Sequence, residues 1–588
     1  MNEDPQTITS RKSPTRQRFA WFVVWVVLFS ITALVVVGIR HSTDLLPNLL
    51  FTALFSTVAI LCVRLCVPLL SSWLAWRRIL FGLACLNTLI ALFYAEEDWR
   101  GWHAWNRFQR HWEAQGERFD LASVVPPPVP DDQNFALTPV VASSYNFILD
   151  PTGHKIRPSL TNIINQMAMD YDVQSPGANI DNKSWPLGKR TDLAALQQYY
   201  RTLAAHTNLF TVSPQPQTPA ADVLLALSRF DSTIEAVRQA AQLPFSRFPL
   251  EYDKEDPAEI LLPHLNGLQR CSQILDLRAT AELRADHSDL ALADIRLMQQ
   301  LSDSVRAEPF LISQLVRLAI TQCQLQPVWE GLADHHWSET QLTALDAQLG
   351  KLDFLMDYQQ DIRAWTPFLI AEFNHLRRHP DQYENLFYDW GLGAEAIRPE
   401  ADVTMSVLSP AHLVPSGWYY QNQLRSARLL IESFLPAADV SAHTFNPALA
   451  RQGYAILTND LRHPNPGNVV ECLLLQWPVL SNFAGKFAFG QSSVDLARVA
   501  IALERYRLAN GHYPDSLSPL DPRFLNPVPH DVIGGQPLHY HLTADGQFVL
   551  YSIGWNETDD GGTVAFKKSP GTTQDIEQGD WVWSYPQP

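Results

Sequence analysis

Between residues 19 and 95 ionisable side chains almost vanish and three apolar runs follow one another, and no other feature of the chain restricts its possible folds as severely. The first run, residues 19–39, carries no charge and is long enough to cross a hydrocarbon core of roughly 30 Å as a helix. The second, residues 49–70, contains Arg64, tolerable where the side chain can snorkel to an interface. The third, residues 79–95, is near the short limit for a span and stops at Glu96-Glu97-Asp98, which reads as a membrane boundary. Arg11, Lys12, Arg16 and Arg18 precede the first run, and Arg77 and Arg78 separate the second from the third. Lys and Arg are retained on the cytoplasmic side, so three crossings put both clusters there and send everything after residue 95 to the opposite face, a bacterial periplasm. The expected location is therefore the inner membrane, with a cytoplasmic N-terminus.

Residues 1–95 hold eight Lys/Arg against three Asp/Glu, whereas the whole chain stands at −17, so the remainder carries −22. An acidic body argues against nucleic acid, which demands basic phosphate contacts. Of six cysteines, Cys62, Cys66 and Cys85 fall in the apolar block; Cys271, Cys323 and Cys472 do not. Three is no disulfide framework, although a Cys271–Cys323 bridge is open in an oxidising compartment; buried thiols are the simpler expectation.

Residues 1–18 read as a polar tail. After the third run, Trp99, Trp102, Trp105, Phe108 and Trp112 recur at helical spacing, which predicts an amphipathic helix lying at the headgroup boundary or packing on the body. Pro126, Pro127, Pro128 and Pro130 forbid a continuing helix and favour an extended spacer. From Thr191 helical periodicity dominates. Thr218-Pro219 is a helix start, residues 257–286 and 288–305 form a hairpin, a helix covers 308–333, and Ser338 with Gln341 gives a capping-box signature. Short connections between amphipathic helices imply either tetratricopeptide-like stacking or an ordinary bundle. Ser492 can cap a helix that ends at Asn510-Gly511. The period then changes to two: residues 539–542 and 548–552 predict a hairpin turning at residues 543–547, with edge strands at 564–566 and 581–585.

The run Ala502-Leu503-Glu504-Arg505-Tyr506-Arg507-Leu508-Ala509-Asn510-Gly511-His512-Tyr513-Pro514, then Tyr551-Ser552-Ile553-Gly554, Asp559-Asp560-Gly561-Gly562, and Asp575-Ile576 with Trp581, resembles the helix end, strand and calcium loop of type II secretion major pseudopilins. The resemblance covers about residues 491–588. It departs at Asp531-Val532-Ile533-Gly534, where the family has Asp-Pro-Trp-Gly, and in placing the module at the far end of a chain with three apolar runs. What it implies is a calcium site supplied by Glu557, Asp559, Asp560 and Asp575, with Gly561 and Gly562 allowing tight curvature. Solvated turn acids account for the same residues. The soluble region as a whole also resembles uncharacterised bacterial membrane-anchored proteins, for which no activity is implied.

The fold class read from the chain is α+β, predominantly α: three N-terminal transmembrane helices, a helical-hairpin body, and a C-terminal long helix with a small antiparallel sheet. Its divisions are a cytoplasmic tail (1–18), a transmembrane block (19–95), a juxtamembrane amphipathic helix (96–122), a Pro-rich linker and irregular region (123–190), a mainly helical soluble domain (191–490) and a pseudopilin-like module (491–588). Other chemistry-bearing patterns are sparse. His539 and His541 share a strand face. His375 and His379 share a helix face, without the glutamate of a zincin motif. No nucleophile elbow, phosphate loop or dinucleotide fingerprint occurs. The expected function is that of a non-enzymatic periplasmic envelope module, bound to the lipid bilayer and engaging an envelope or secretion partner. The alternative is a membrane-anchored hydrolase with its site in the helical domain.

Overall fold

The computed structural model describes residues 73–145, 148–149, 155–156, 164, 167, 185–206, 209–380, 414–463, 465–468, 482–568 and 573–585. The apolar runs at 19–39 and 49–70, the basic N-terminal tail, Cys472 and most of 146–184 lie outside the described residues. The chain divides into two units, Met1–Glu96 and Glu97–Pro588.

Helix α1 (Trp73–Glu113) supplies the described part of the first unit. Within it lies a stretch long and apolar enough to cross a membrane, by length and composition. Leu80, Phe81, Leu83, Leu86, Leu89, Leu92 and Phe93 are all exposed along it. The helix runs on through Glu96-Glu97-Asp98 into the segment expected to be helical after it, and partners distant in sequence take up two of the three carboxylates. Glu97 is buried and accepts hydrogen bonds from Arg100, Trp418 and Gln421. Asp98 accepts the Gly417 amide at 2.6 Å. The aromatic stripe splits: Trp99 and Trp102 are exposed, whereas Trp105 and Phe108 are buried against Phe119.

The second unit is predominantly helical. Among the described residues its longer helices are α2 (Leu193–His206), α3 (Pro219–Leu227), α4 (Asp231–Ala240), α5 (His264–Arg284), α6 (Ser288–Ser304), α7 (Leu311–Ala333), α8 (Glu339–Leu349), α9 (Phe354–Arg378), α10 (Ser416–Arg428), α11 (Pro447–Arg462) and α12 (Phe483–Asn510). Local signals set several of their ends. Thr218 accepts from the Ala221 amide with proline following at the first helical position, and Ser338 and Gln341 form the reciprocal capping box. Asp286 takes a positive φ of 62° between α5 and α6. The hairpin helix starts at His264 rather than at 257, because Pro257 opens a separate 3-10 turn capped by Asp256.

Helices α5, α6 and α7 each pack on both of the others. Helix α12 runs against α7, α8 and α9. It starts at Phe483, and Ser492 is a buried residue inside it rather than its cap. Gly511 ends it at φ 85°, as the Asn-Gly pair suggested. The Pro-rich stretch is part of the packed body: Pro126 O accepts from Arg247, and Phe135, Val140 and Val141 beyond it are buried.

Strands β1 (His539–Leu542), β2 (Phe548–Ser552) and β5 (Trp581–Ser584) form an antiparallel sheet in the order β1-β2-β5, with Leu550 facing Tyr540 on one side and Trp583 on the other. The turn closes where expected, with the Thr543 amide donating to Gln547 O and Gly546 at φ 79°. Residues 564–566 do not join that sheet. Strand β3 (Val564–Phe566) pairs instead with β4 (Gln574–Gly579) in a separate ribbon. The sheet is bound to the helices by indoles: Trp329 Nε1 donates to Ser584 O, and Trp185 packs on Trp583 at 5.0 Å. Cys271 and Cys323 do not bridge to each other; burial pushes the Cys271 thiol up to about 12.

Candidate functional site

The terminal loop was the sequence's one proposed ion site. Glu557, at a positive φ of 58°, is ion-paired to Arg451. Asp559 accepts from the Tyr551 hydroxyl and the Gly561 amide, Asp560 from Asn556, and Asp575 from the Glu577 amide. The loop is organised by Asp580, which the sequence reading passed over: fully buried, it accepts the amides of Asp560, Gly562 and Thr563. Among the described residues the four candidate carboxylates form no group of three or more with ligand atoms within 4.8 Å. His539 stacks on Tyr551 at 4.8 Å and faces Asp559, and no ligand cluster gathers around it among the described residues.

The residues that carry the family resemblance have structural work to do. Glu504 on α12 accepts from Arg507, Tyr513 and His335, which fastens the end of the helix to the segment before the sheet. Burial raises its carboxyl, but the hydrogen bonds from Arg507 and His335 outweigh that and hold it at about 2. Asp531, at the divergent motif, is buried and accepts from Ser552 and from the amides of Ile533 and Ile553.

Convergent, incompletely paired polar groups occur instead inside the helical body, where α5, α7 and α9 meet. Glu308 precedes α7 and accepts from the Ser313 hydroxyl at 2.5 Å. Its other oxygen lies 2.8 Å from His264 Nε2, and His264 Nδ1 lies 2.5 Å from the Tyr145 hydroxyl. Phe248 stacks on the imidazole at 3.9 Å. Burial, reinforced by the Glu308 charge, raises the Tyr145 phenol. Serine, carboxylate, imidazole and phenol thus form one chain, buried up to the half-buried phenol.

Beside it runs a second network. Arg317, 1% exposed, donates to Asp357 at 2.6 Å and to Ser302 O, and lies over the Phe354 ring at 5.7 Å. Arg306 donates to the other Asp357 oxygen at 3.1 Å. One helical turn further along α9 is Asp361, 3% exposed, and neither of its carboxyl oxygens has a hydrogen-bond partner among the described residues. Burial raises its pKa well above the carboxylate range, the neighbouring Asp357 charge adds to that, and Arg317 only partly opposes it.

A cavity of about 220 Å³ is lined by Arg306, Glu308, Gln314, Asp357, Gln360 and Asp361, with Val124 from the Pro-rich stretch at its wall. At about 30 Å³ for each water of liquid, it has room for roughly seven waters or one small polar molecule. Hollows of about 360 and 630 Å³ lie elsewhere on the body. In the larger one Arg425 and Arg428 are already ion-paired, to Asp460 and Glu432. The charged cluster of the smaller cavity was invisible in the sequence, since its members are spread over residues 306–361 with no motif; the one hint was Asp357 and Asp361 at i, i+4 on an otherwise apolar helix face.

Comparison with protein-family models, with curated proteins and with solved structures finds no match.

Proposed function

We infer that this chain is a membrane-anchored, non-enzymatic binding protein of the cell envelope, whose helical body takes up a small polar molecule in the cavity between Arg306 and Asp361. The observation that carries the reading is Asp361. A buried carboxyl without a partner is costly unless something supplies the missing hydrogen bonds. The cavity beside it offers a guanidinium for an acceptor and carboxyl groups for donors, which suits a compact molecule bearing both, as amino acids and amino sugars do. Anchoring is supported by the exposed apolar stretch of α1 and the apolar sequence before it, and the periplasmic side by the basic flanks. A reporter fused after Pro588 and found active only in the cytosol would reverse the sidedness.

The binding claim is tested by thermal-shift screening of the detergent-solubilised full chain against amino acids, amino sugars and small polyols. A ligand present at a hundred times its Kd stabilises by about 2.7 kcal/mol. The expected result is a compound that raises the melting temperature of the natural chain but not of Asp361→Asn. A screen without hits, or hits that stabilise both proteins equally, overturns it. One observation favours a second, hydrolytic reading: a carboxyl raised by burial one turn from a salt-bridged carboxylate is the kind of pair that serves acid–base chemistry. Turnover of a screened ester, amide or glycoside that is abolished in Asp361→Asn would replace binding with that reading.

A further inference from the structure

The C-terminal turn of α9 brings together donors of a different kind. His375 and His379 are one turn apart, with ring centroids at 4.9 Å. Glu255, from the loop before the 3-10 turn Pro257–Glu259, places Oε1 2.8 Å from His379 Nε2. Asp256 follows it: one oxygen caps the turn by accepting the Ala258 amide at 2.9 Å, and the other faces His375 Nε2 at 3.7 Å. One ligand atom from each of Glu255, His375 and His379 lies within 4.8 Å of the other two. His375 is buried, His379 half-buried and Glu255 exposed, so the group is fixed on its inner side and open to solvent on its outer side.

We propose that Glu255, His375 and His379 form a binding site for a first-row divalent transition metal ion, zinc in the first instance, with Asp256 or water as fourth ligand. Two imidazoles and a carboxylate are a donor set for zinc and its neighbours, whereas calcium and magnesium select oxygen alone. Tetrahedral bonds of 2.0–2.1 Å put ligand atoms roughly 3.4 Å apart. Small rotations suffice: the His379–Glu255 contact opens and the widest separation closes. Arg378, 3.9 Å from Glu255 and largely exposed, competes for the carboxylate and swings to solvent when the ion enters. The ion ties the segment around residue 255 to the end of α9, adding to the packing of the Pro257–Glu259 turn on that helix and to ion pairs screened by salt. It is independent of the cavity at Asp361.

The test is titration of the full chain, purified in detergent and stripped with chelator, with cobalt(II) and then zinc alone. The expected result is visible d–d absorption saturating at one equivalent of cobalt, bleached by zinc. His379→Ala and Glu255→Ala, both at solvent-accessible positions, each weaken binding by at least about tenfold, while His463→Ala, an exposed histidine elsewhere, leaves it unchanged. Absence of the absorption, or saturation unaltered in His379→Ala and Glu255→Ala, overturns the proposal.

Discussion

Replacing Asp361 by asparagine separates the cost of its charge from the shape of its side chain. In the folded chain this carboxyl is buried, has no hydrogen-bond partner among the described residues and is raised well above its ordinary range; in the unfolded chain it titrates as any aspartate. A folded pKa above the unfolded one means that stability is fully present below the unfolded value and is lost as pH rises toward the folded one. Across that window the folded state holds one proton more than the unfolded state, so the natural chain loses about 1.4 kcal/mol per pH unit relative to the variant. Unfolding entropy of roughly 2.1 cal/mol/K per residue, over the unit Glu97–Pro588, comes to roughly 1 kcal/mol/K, so the two melting temperatures separate by about 1.4 °C per pH unit. The assay is calorimetry of both proteins from pH 4 upward in one detergent. Asp361→Asn should gain on the natural chain steadily with pH and then run parallel to it above the folded pKa. A difference that does not change with pH, or one that favours the natural chain increasingly as pH rises, refutes the claim that this carboxyl is buried without compensation.

Other substitutions follow from the same packing. Arg317→Met leaves the buried Asp357 with Arg306 alone and should destabilise by about 3–5 kcal/mol; in a chemical-denaturation double-mutant cycle, adding Asp357→Leu should recover part of the loss. A Cβ at Gly101 would stand 2.2 Å from Gly417 O, so Gly101→Ala must force α1 and α10 apart and should cost about 1–3 kcal/mol by the same assay. Glu504→Gln removes a carboxylate whose folded pKa, about 2, lies below its ordinary value. Its contribution, on the order of 3 kcal/mol, is present above pH 4.5 and fades as pH falls toward 2, so melting curves of variant and natural chain should converge in acid.

What was legible in the sequence was what neighbouring residues decide. Thr218-Pro219, Ser338 with Gln341, Asn510-Gly511 and the Thr543–Gln547 turn each carry their hydrogen-bond partners within a few residues, and each is found in place. Legibility failed where a partner arrives from far along the chain. Nothing near Glu96-Glu97-Asp98 shows that Trp418, Gln421 and the Gly417 amide, more than 300 residues later, take up Glu97 and Asp98. The acids of the Gly-rich turn are likewise met from outside it: Arg451 on α11 pairs with Glu557, and the hydroxyl of Tyr551 donates to Asp559. Tyr145, His264, Glu308 and Ser313 are ordinary residues in four separate contexts until helix packing makes them one chain. His375 and His379 showed the helical spacing of metal ligands, but Glu255 comes from a loop 124 residues away.

The most direct measurement is an experimental structure of the full chain with the best compound from the thermal-shift screen. The account predicts density for that compound between Arg306 and Asp361, with a donor of the compound within hydrogen-bond distance of the Asp361 carboxyl. Density for the compound at another surface, or an Asp361 carboxyl satisfied by a neighbouring side chain of the protein, would contradict it.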